Sequence, residues 1–240
     1  MNGRLHTSCT QTFPTLNSPL DNIFWHAMNG AHAAFATGTA TARRYAQGFS
    51  PIVAFADQAR PDFAALLPYC APGEQFYVSC WNDETAAGWK IVAEAKMYRM
   101  VWDALAPQTG DDADLVALGP EHIAQAMELA ALTRPGPFGP RTMELGAYFG
   151  CFIDGRLAAM AGERATAAEF REISGVCTHP DFQGRGLARR LMNKLIAQGV
   201  RRGETPFLHV MCHNETAHNL YLKMGFRDYA VSVSNIVAPG

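Results

Sequence analysis

A glycine-rich turn between a strand and a helix is the part of this sequence with the clearest chemical potential. Residues 173–188 read ISGVCTHPDFQGRGLA, an apolar strand pattern that runs into Gly184 and Gly186 and then into a helical pattern. Amides at a helix N-terminus lack intrahelical partners, and the helix dipole favours negative charge there. Glycines let the backbone approach a phosphate without a Cβ in the way. The turn predicts a pyrophosphate site, although a turn of this kind can also be an ordinary connection.

The helix that follows the turn is amphipathic. Its polar residues Arg189, Arg190 and Lys194 lie off an apolar stripe with helical spacing. The stripe consists of Leu187, Ala188, Leu191, Met192, Leu195, Ile196 and Gly199. We therefore expect one face of the helix to lie in the core, while its first turn is free to hold a ligand.

Two motifs make the interpretation of the turn more specific. Residues 176–188 contain V-x-T-H-P and then Q-x-x-G-x-A, which resembles motif A of the GCN5-related N-acetyltransferase (GNAT) family. Residues 214–226 read NETAHNLYLKMGF, which resembles motif B of that family, N-x-x-A-x-x-L-Y-x-x-x-G-F. Both occur in the family's order, and the resemblance covers roughly residues 114–236. It implies an N-acetyltransferase that moves an acetyl group from acetyl-CoA to an amine, with no metal.

The resemblance also implies a cofactor site made largely of backbone. A strand that splays from its neighbour would pair with the pantetheine arm of acetyl-CoA, and the amides of the turn would surround the pyrophosphate. Arg185 would add a contact to phosphate or be a solvated basic residue, and a main-chain amide of the splayed strand would polarise the thioester carbonyl. The cofactor-binding residues expected on this basis are Val176, Cys177, Thr178, Gln183, Gly184, Arg185, Gly186, Leu187, Ala188 and Asn214.

Two side chains are the expected catalytic groups. Tyr221 matches the family tyrosine that protonates the departing CoA thiolate, and a phenol with a pKa of about 10 is protonated at neutral pH. Its alternative role is that of a core aromatic residue. Glu172 matches a family glutamate that acts as general base, and regular alternation would put it on the same face as Val176 and Thr178. Its alternatives are an ion-paired glutamate beside Arg171 or a site in which water takes the proton.

The acceptor is expected to be the primary amine of a small molecule. A stiff, proline-rich loop at residues 133–141 corresponds to the family loop that lines the acceptor site, or it is simply a rigid connector. Arg134 and Arg141 in this loop are the predicted substrate-binding residues, since they could clamp a carboxylate. An amino acid would fit such a pair.

Cysteine and histidine residues near the motifs suggest two other chemistries, which we do not expect. Nothing in the sequence indicates an activated thiolate at Cys177 or Cys212, so direct transfer is expected. His209, His213 and His218 with Cys212 fit no standard zinc spacing. We therefore predict no metal site.

The elements that position these residues form a mixed α/β (α+β) fold, with a mostly antiparallel sheet flanked by helices. In the first half, periodicity predicts strands over 74–81, 89–92 and 98–102 and a helix over 60–69. A linker is expected over 106–114. Beyond the linker, the expected strands are residues 115–118, 148–153, 157–162, 170–178, 207–211 and 229–236. Three helices are expected. The first begins at Gly119-Pro120, and the other two cover residues 186–199 and 215–224.

The linker divides the chain into a predicted N-terminal domain, residues 1–111, and an acetyltransferase domain, residues 112–240. The first half contains no motif A. It is interpreted either as a degenerate GNAT-like half that shapes the acceptor pocket or as a capping or dimerisation domain. The sequence therefore leaves open whether the protein forms a homodimer.

Composition excludes several classes of function. The chain has 240 residues, a net charge of −2 and 48% hydrophobic residues, which does not favour a nucleic-acid partner. It contains no apolar run long enough for a membrane span and no secretory signal pattern, and its six scattered cysteines suit the cytoplasm. The alternatives to an enzyme are a non-catalytic acyl-CoA-binding sensor and a general nucleotide or phosphate binder.

Overall fold

The computed structural model describes residues 18–79, 81, 88–108, 110 and 112–240. Four α-helices are described in this part of the chain: α1 (Ile23–Asn29), α2 (Ile123–Thr133), α3 (Leu187–Arg201) and α4 (Glu215–Met224). The strands are β1 (Ala36–Gly38), β2 (Ala42–Tyr45), β3 (Val53–Phe55), β4 (Phe76–Ser79), β5 (Trp89–Ala93), β6 (Lys96–Trp102), β7 (Leu115–Ala117), β8 (Tyr148–Ile153), β9 (Arg156–Ala167), β10 (Phe170–Thr178), β11 (Thr205–Met211) and β12 (Phe226–Pro239). Short 3₁₀ turns connect several of them.

A nine-stranded sheet organises the molecule. Its order is β4-β12-β6-β11-β10-β9-β8-β7, and β5 also pairs with β12. Among the described strands of this sheet, β10 and β11 pair in parallel and the other pairs are antiparallel. A separate three-stranded sheet has the order β1-β2-β3. The expected mixed, mostly antiparallel fold with flanking helices is confirmed.

Helices cover both faces of the sheet beside the motif residues. On one face, Ala126 and Leu129 of α2 pack with Met160 and Cys177 in a common cluster. On the other face, the apolar stripe of α3 packs with Ile173 and with strands β6 and β11. The core therefore fixes β10 from both sides, and it anchors α3 along the face that its periodicity predicts.

The large sheet combines strands from both sides of residue 111. Strand β6 precedes the expected linker, yet it lies between β11 and β12 and pairs with each along most of its length. Strands β4 and β5 pair with the C-terminal part of β12. The domain boundary after residue 111 stays a prediction, but the hydrogen-bonded ladder runs across it.

Element predictions were more successful in the second half than in the first. Strand β10 and helix α4 have the predicted bounds, and β9 is longer than expected, since it continues to Ala167. The helix expected over 60–69 is a 3₁₀ segment, Ala64–Tyr69, with Pro68 inside it. Helix α1 and the three-stranded sheet were not predicted.

The described residues also bear on the membrane, cysteine and metal expectations. In this part of the chain no helix is both long enough and apolar enough to cross a bilayer. Four cysteines are free thiols, Cys70, Cys151, Cys177 and Cys212, while Cys9 and Cys80 lie outside the described residues. No group of three or more metal-ligating side chains is found among the described residues.

Candidate active site

Strand β10 separates from its parallel neighbour β11 after Glu172. The two strands are in register from Phe170–Thr205 to Glu172–Phe207, and the ladder ends there. Beyond that point β11 pairs with β6 on its other side up to Met211. The main-chain groups of β10 that follow Glu172 thus face a gap in the sheet, which is the splay expected from the motif resemblance.

A β-bulge lies in the splayed part of β10. The pairing of β10 with β9 shifts register between Ser174 and Cys177, and Gly175 has φ +64°. A Cβ at Gly175 would lie 3.1 Å from the ring of Tyr148, so both the conformation and the space favour glycine. A bulge breaks the two-residue period of side-chain direction.

The bulge overturns the expectation that Glu172 and Val176 share a face. Val176 packs against the same core cluster as Ile173, and strand neighbours such as Glu172 and Ile173 point to opposite faces. A regular alternation was assumed from the sequence, where Gly175 looks like any other strand residue. The extra residue of the bulge shifts the alternation of side-chain direction by one position, so that Glu172 and Val176 point to opposite faces of the sheet.

The turn after β10 has the form expected of a phosphate-binding backbone. Gly184 and Gly186 have φ of +76° and +73°, and a Cβ on either would meet nothing within 4 Å. Gly186 is the N-cap of α3, and the first helical hydrogen bond runs from the amide of Arg190 to its carbonyl. The amides of the first helical turn are therefore open to a ligand. Arg185 is exposed, with Cζ 5.3 Å from the centre of the Phe182 ring.

A cavity of about 700 Å³ begins at the splay. Its walls on the motif side come from β10, the turn, β11 and α4. They include Val176, Cys177, Thr178, Gln183, Asn214 and Tyr221. On the opposite side the walls come from α1, β4, β5, β12 and the residue before β3. They include Phe24, Ile52, Tyr77, Ser79, Ser234 and Ile236. The first half of the chain thus contributes directly to the space beyond the motif residues.

Burial determines the protonation of two groups at this cavity. Tyr221 is 8% exposed, and burial raises its pKa to about 12. Burial also raises the pKa of the Cys177 thiol to about 11. Both groups stay protonated at neutral pH, so Tyr221 is a competent proton donor and Cys177 is not an activated nucleophile.

Glu172 lies in a buried ionic network. Its carboxylate is 1% exposed and accepts hydrogen bonds from Arg164 Nε (2.9 Å), Arg164 Nη2 (2.6 Å), His209 Nδ1 (2.8 Å) and the Ala165 amide (3.2 Å). Although burial opposes ionisation, the Arg164 guanidinium and these hydrogen bonds hold the pKa of Glu172 well below its usual range. A carboxylate with this environment is a poor proton acceptor, which disfavours the expected general-base role.

His209 is held between Glu172 and a second arginine. Arg99 Nε donates to His209 Nε2 at 3.1 Å, and His209 Nδ1 donates to Glu172. Burial and the two nearby guanidinium groups lower the pKa of His209. Both ring nitrogens of the neutral imidazole are occupied, so His209 has a structural role beside the cavity and no free nitrogen for proton transfer.

Three other predicted site residues have different positions. Asn214 lines the cavity and caps α4, since its Oδ1 accepts the Ala217 amide at 3.1 Å. Arg134 is exposed at the cavity, in the left-handed conformation that ends α2. Arg141 does not line the cavity, because its guanidinium pairs with Glu144 at 2.7–2.8 Å. The two arginines expected to form a clamp are thus not brought together there.

The loop that carries Arg134 is fixed by the first half of the chain. Ser50 Oγ donates to the Pro137 carbonyl at 2.8 Å, and the Arg141 amide donates to the Gly48 carbonyl at 2.8 Å. The spacing of prolines in the sequence indicates stiffness but not this anchor. Arg164, Phe24 and Tyr77 line the cavity and were not predicted, because they lie outside both motifs.

The fold and the site together define a class of protein, the acyl-CoA N-acyltransferases with a splayed central strand. A family model described as FR47-like protein matches residues 148–234. A protein described as a GNAT-family acetyltransferase from Novosphingobium aromaticivorans is 34% identical, with 93% of this chain and all of that chain covered and a TM-score of 0.86. The chain therefore belongs to the GNAT family.

More distant structures share the fold alone. A GCN5-related N-acetyltransferase from Kribbella flavida is 18% identical, with a TM-score of 0.55 over 89% of this chain and 93% of that one. A GCN5-related N-acetyltransferase-like protein from Streptococcus suis is 16% identical, with a TM-score of 0.58 over 90% and 92% of the two chains. None of the curated proteins compared with the chain matches it.

Proposed function

We propose that the protein transfers an acetyl group from acetyl-CoA directly to the primary amine of a small molecule. The observation that carries this proposal is the end of the β10–β11 ladder at Glu172, where a 700 Å³ cavity opens beside Tyr221. The splay offers main-chain groups to an extended ligand, and the glycine turn offers amides to an anion at the same edge of the sheet.

The residues at this edge fit the two chemically different parts of acetyl-CoA. Open space next to Gly184 and Gly186 leaves room for phosphate oxygens against the helix N-terminus. Val176 and Thr178 on the splayed strand would pair with the amides of the pantetheine arm, and the free Nδ2 of Asn214 would add a side-chain donor. Acetyl-CoA supplies a thioester whose acyl carbon is open to attack by an amine.

Tyr221 is the proposed general acid. Tyr221 lines the cavity, and its hydroxyl stays protonated because burial raises its pKa to about 12. A donor of this kind protonates the departing thiolate and so favours breakage of the thioester bond. The thiol of Cys177 takes no part in the transfer, because its own pKa is raised.

Water is the proposed acceptor of the amine proton. The four hydrogen bonds on Glu172 stabilise its ionised form, and a proton there would break the pairing with Arg164. Glu172 then acts as a positioning residue that holds Arg164 and His209 at the cavity wall. An ammonium that reaches the cavity loses its proton to water before its nitrogen attacks.

The first half of the chain is proposed to shape the acceptor pocket. Tyr77 and Ser79 of β4 line the cavity opposite the motif residues. Phe24 of α1 adds an aromatic surface on the same side. This supports the interpretation of the first half as a wall of the acceptor site, in place of a separate capping domain.

A CoA-release assay tests the proposed function. The purified protein is incubated with acetyl-CoA and pooled primary amines, with Tyr221→Phe in parallel. Amine-dependent release of CoA by the wild-type protein, with much slower release by the variant, is the expected result. Binding of acetyl-CoA without turnover of any amine would instead indicate a sensor of acyl-CoA.

A further inference from the structure

Arg164 is a buried arginine in the wall of the cavity. Its side chain is 7% exposed, and it lies outside both sequence motifs. Two of its three nitrogens are used, because Nε and Nη2 donate to the two oxygens of Glu172 at 2.9 and 2.6 Å. The Glu172 pair fixes the plane of the guanidinium and thereby the direction of its remaining donors.

The third nitrogen of Arg164 has no protein partner. Among the residues that the structure describes, no hydrogen-bond acceptor is found for Nη1. The face of the guanidinium is occupied by Phe24, whose ring centre lies 5.4 Å from Cζ. An unpaired donor on a buried cation is unfavourable, and such donors in native proteins usually meet water or a ligand. Since Arg164 lines the cavity, its free donor points to a ligand in that space.

The charges around this donor favour an anion. In the buried part of the network, the Arg164 guanidinium pairs with the carboxylate of Glu172, and His209 lies between that carboxylate and Arg99. The other nearby carboxylate, Asp21, is 38% exposed and lies 4.0 Å from Arg99. A carboxylate at Arg164 Nη1 would form a charge-assisted hydrogen bond with a buried cation, which is stronger than a bond to a neutral acceptor.

We propose that Arg164 Nη1 binds the carboxylate of the acceptor, which is therefore an amine that also carries a carboxylate and an apolar side chain. This inference rests on the proposed function and narrows its acceptor. The apolar part follows from other residues that line the same cavity, Phe24, Ile52 and Ile236, of which Phe24 lies against the Arg164 guanidinium. Arg164 takes the role that was expected of an Arg134–Arg141 clamp.

Matched pairs of acceptors test the role of the carboxylate. The probes are leucine, methionine and phenylalanine, each compared with the amine that lacks its carboxyl group: isoamylamine, 3-(methylthio)propylamine and phenethylamine. We expect kcat/KM for at least one amino acid to exceed that of its amine by tenfold or more, mainly through KM. Amines that match or exceed the amino acids in all three pairs would overturn the inference while the proposed function stands.

Arg164→Lys tests the residue itself. Lysine keeps a positive charge beside Glu172 but has no second planar edge for a carboxylate. The variant should raise the KM of the amino acid at least tenfold and leave the KM of its amine and the Kd of acetyl-CoA unchanged. Arg171→Lys is the matched control, since Arg171 also pairs with a carboxylate, Glu204, and does not line the cavity. It should leave the preference between acid and amine intact.

Other outcomes separate this inference from the proposal on which it rests. If Arg164→Lys does not fold, the double variant Arg164→Met/Glu172→Gln removes the buried charges together and should abolish the preference for the acid in the same way. A preference that survives in a folded variant would overturn the role of Arg164. Binding of acetyl-CoA without acetylation of any of the six probes would overturn the acceptor class alone, whereas no binding of acetyl-CoA would overturn the proposed function.

Discussion

Burial and local hydrogen-bond donors determine whether each ionisable side chain around the cavity is protonated. Burial is the main influence on Tyr221 and Cys177, and it keeps both protonated. Glu172 is equally buried, but four donors surround it and keep it ionised. The same region thus holds a proton donor, an inert thiol and a carboxylate that is ionised at neutral pH, and their different neighbours account for these different states.

Removing the phenol of Tyr221 should slow the reaction without changing cofactor binding. We expect Tyr221→Phe to lower kcat by about 100-fold, because the thiolate then leaves without a general acid. The KM for acetyl-CoA should stay within about twofold, as an effect confined to the chemical step requires. Steady-state kinetics measure both constants. Tyr98→Phe is the control, since Tyr98 stacks on His218 outside the cavity and the variant keeps the aromatic ring. Equal kcat for Tyr221→Phe and wild type would contradict the role of Tyr221 as general acid.

Replacing Glu172 should destabilise the protein, and the effect should depend on pH. Glu172→Gln leaves Arg164 buried without a counter-charge, which costs about 3–5 kcal/mol at neutral pH. Because the folded state lowers the pKa of Glu172 below its unfolded value of about 4.3, its contribution is complete above that pH and is lost as the pH falls through the folded pKa. The difference between wild type and variant should therefore shrink on acidification below about pH 4.

Urea unfolding at several pH values measures this difference. Glu144→Gln is the control, because Glu144 forms an exposed pair with Arg141 and should change the free energy of unfolding little. A Glu172→Gln protein as stable as wild type at pH 7 would show that the buried network does not hold the sheet together.

The sequence identified some of these residues and missed others for physical reasons. Tyr221 and Asn214 follow from a motif because helix α4 fixes their spacing. Arg164 is eight residues from Glu172 across a hairpin with two register shifts, so no local pattern pairs them. The pKa of Glu172 depends on that pairing. The sequence alone therefore could not show that Glu172 is a poor proton acceptor.

At the scale of elements, the site depends on the place where a strand stops pairing and a helix starts. Strand β10 leaves β11 after Glu172, and α3 begins at Leu187. Between them, Gly184 and Gly186 take left-handed conformations with open space on the Cβ side. The gap in the sheet and the start of the helix thus face the same edge, which suits a ligand that is both extended and anionic.

Substitution of the turn glycine should impair cofactor binding more than stability. Gly184→Ala should cost about 1–2 kcal/mol through its positive φ and place a methyl group where phosphate is expected. Gly203→Ala is a matched control, since Gly203 has the same φ of +76° and the same open space beyond the other end of α3. We expect both variants to lose similar stability, but only Gly184→Ala to weaken acetyl-CoA binding at least tenfold by calorimetry. Equal affinities for the two variants would contradict a phosphate site at this turn.

Elements with a clear local pattern could be predicted, and elements without one could not. The bounds of β10 and α4 agree with the expectation because their apolar patterns and caps are local. In the first half, the expected strands over 74–81, 89–92 and 98–102 correspond to β4, β5 and β6, whereas β1–β3 have too few residues for a period to emerge. The bulge at Gly175 escaped prediction because it is a shift in the pairing of β10 with β9, which no local pattern specifies.

At the scale of the whole molecule, the sheet couples the two halves of the chain. Strand β6 lies between β11 and β12 and pairs with both, although it precedes the expected linker. The cavity has walls from both halves as well. This long-range pairing lies beyond a sequence argument, because nothing local specifies which strands become neighbours.

The isolated segment 112–240 should therefore fail to fold. Without β6, strands β11 and β12 each lose a neighbour along an apolar, buried part of the sheet, and unpaired buried backbone groups are costly. We expect the segment to lack cooperative thermal unfolding by circular dichroism, whereas a segment that begins at residue 88 and so retains β5 and β6 should recover more structure. A cooperatively folded 112–240 segment that binds acetyl-CoA would establish the boundary at residue 111 as that of an independent domain.

A crystal structure with acetyl-CoA tests the central claim most directly. The account predicts pyrophosphate oxygens within hydrogen-bond distance of amides between Gly184 and Ala188. It also predicts the pantetheine arm along Val176–Thr178 and the thioester sulfur near the hydroxyl of Tyr221. Acetyl-CoA bound at another surface, or a β10–β11 gap that closes in the complex, would contradict it.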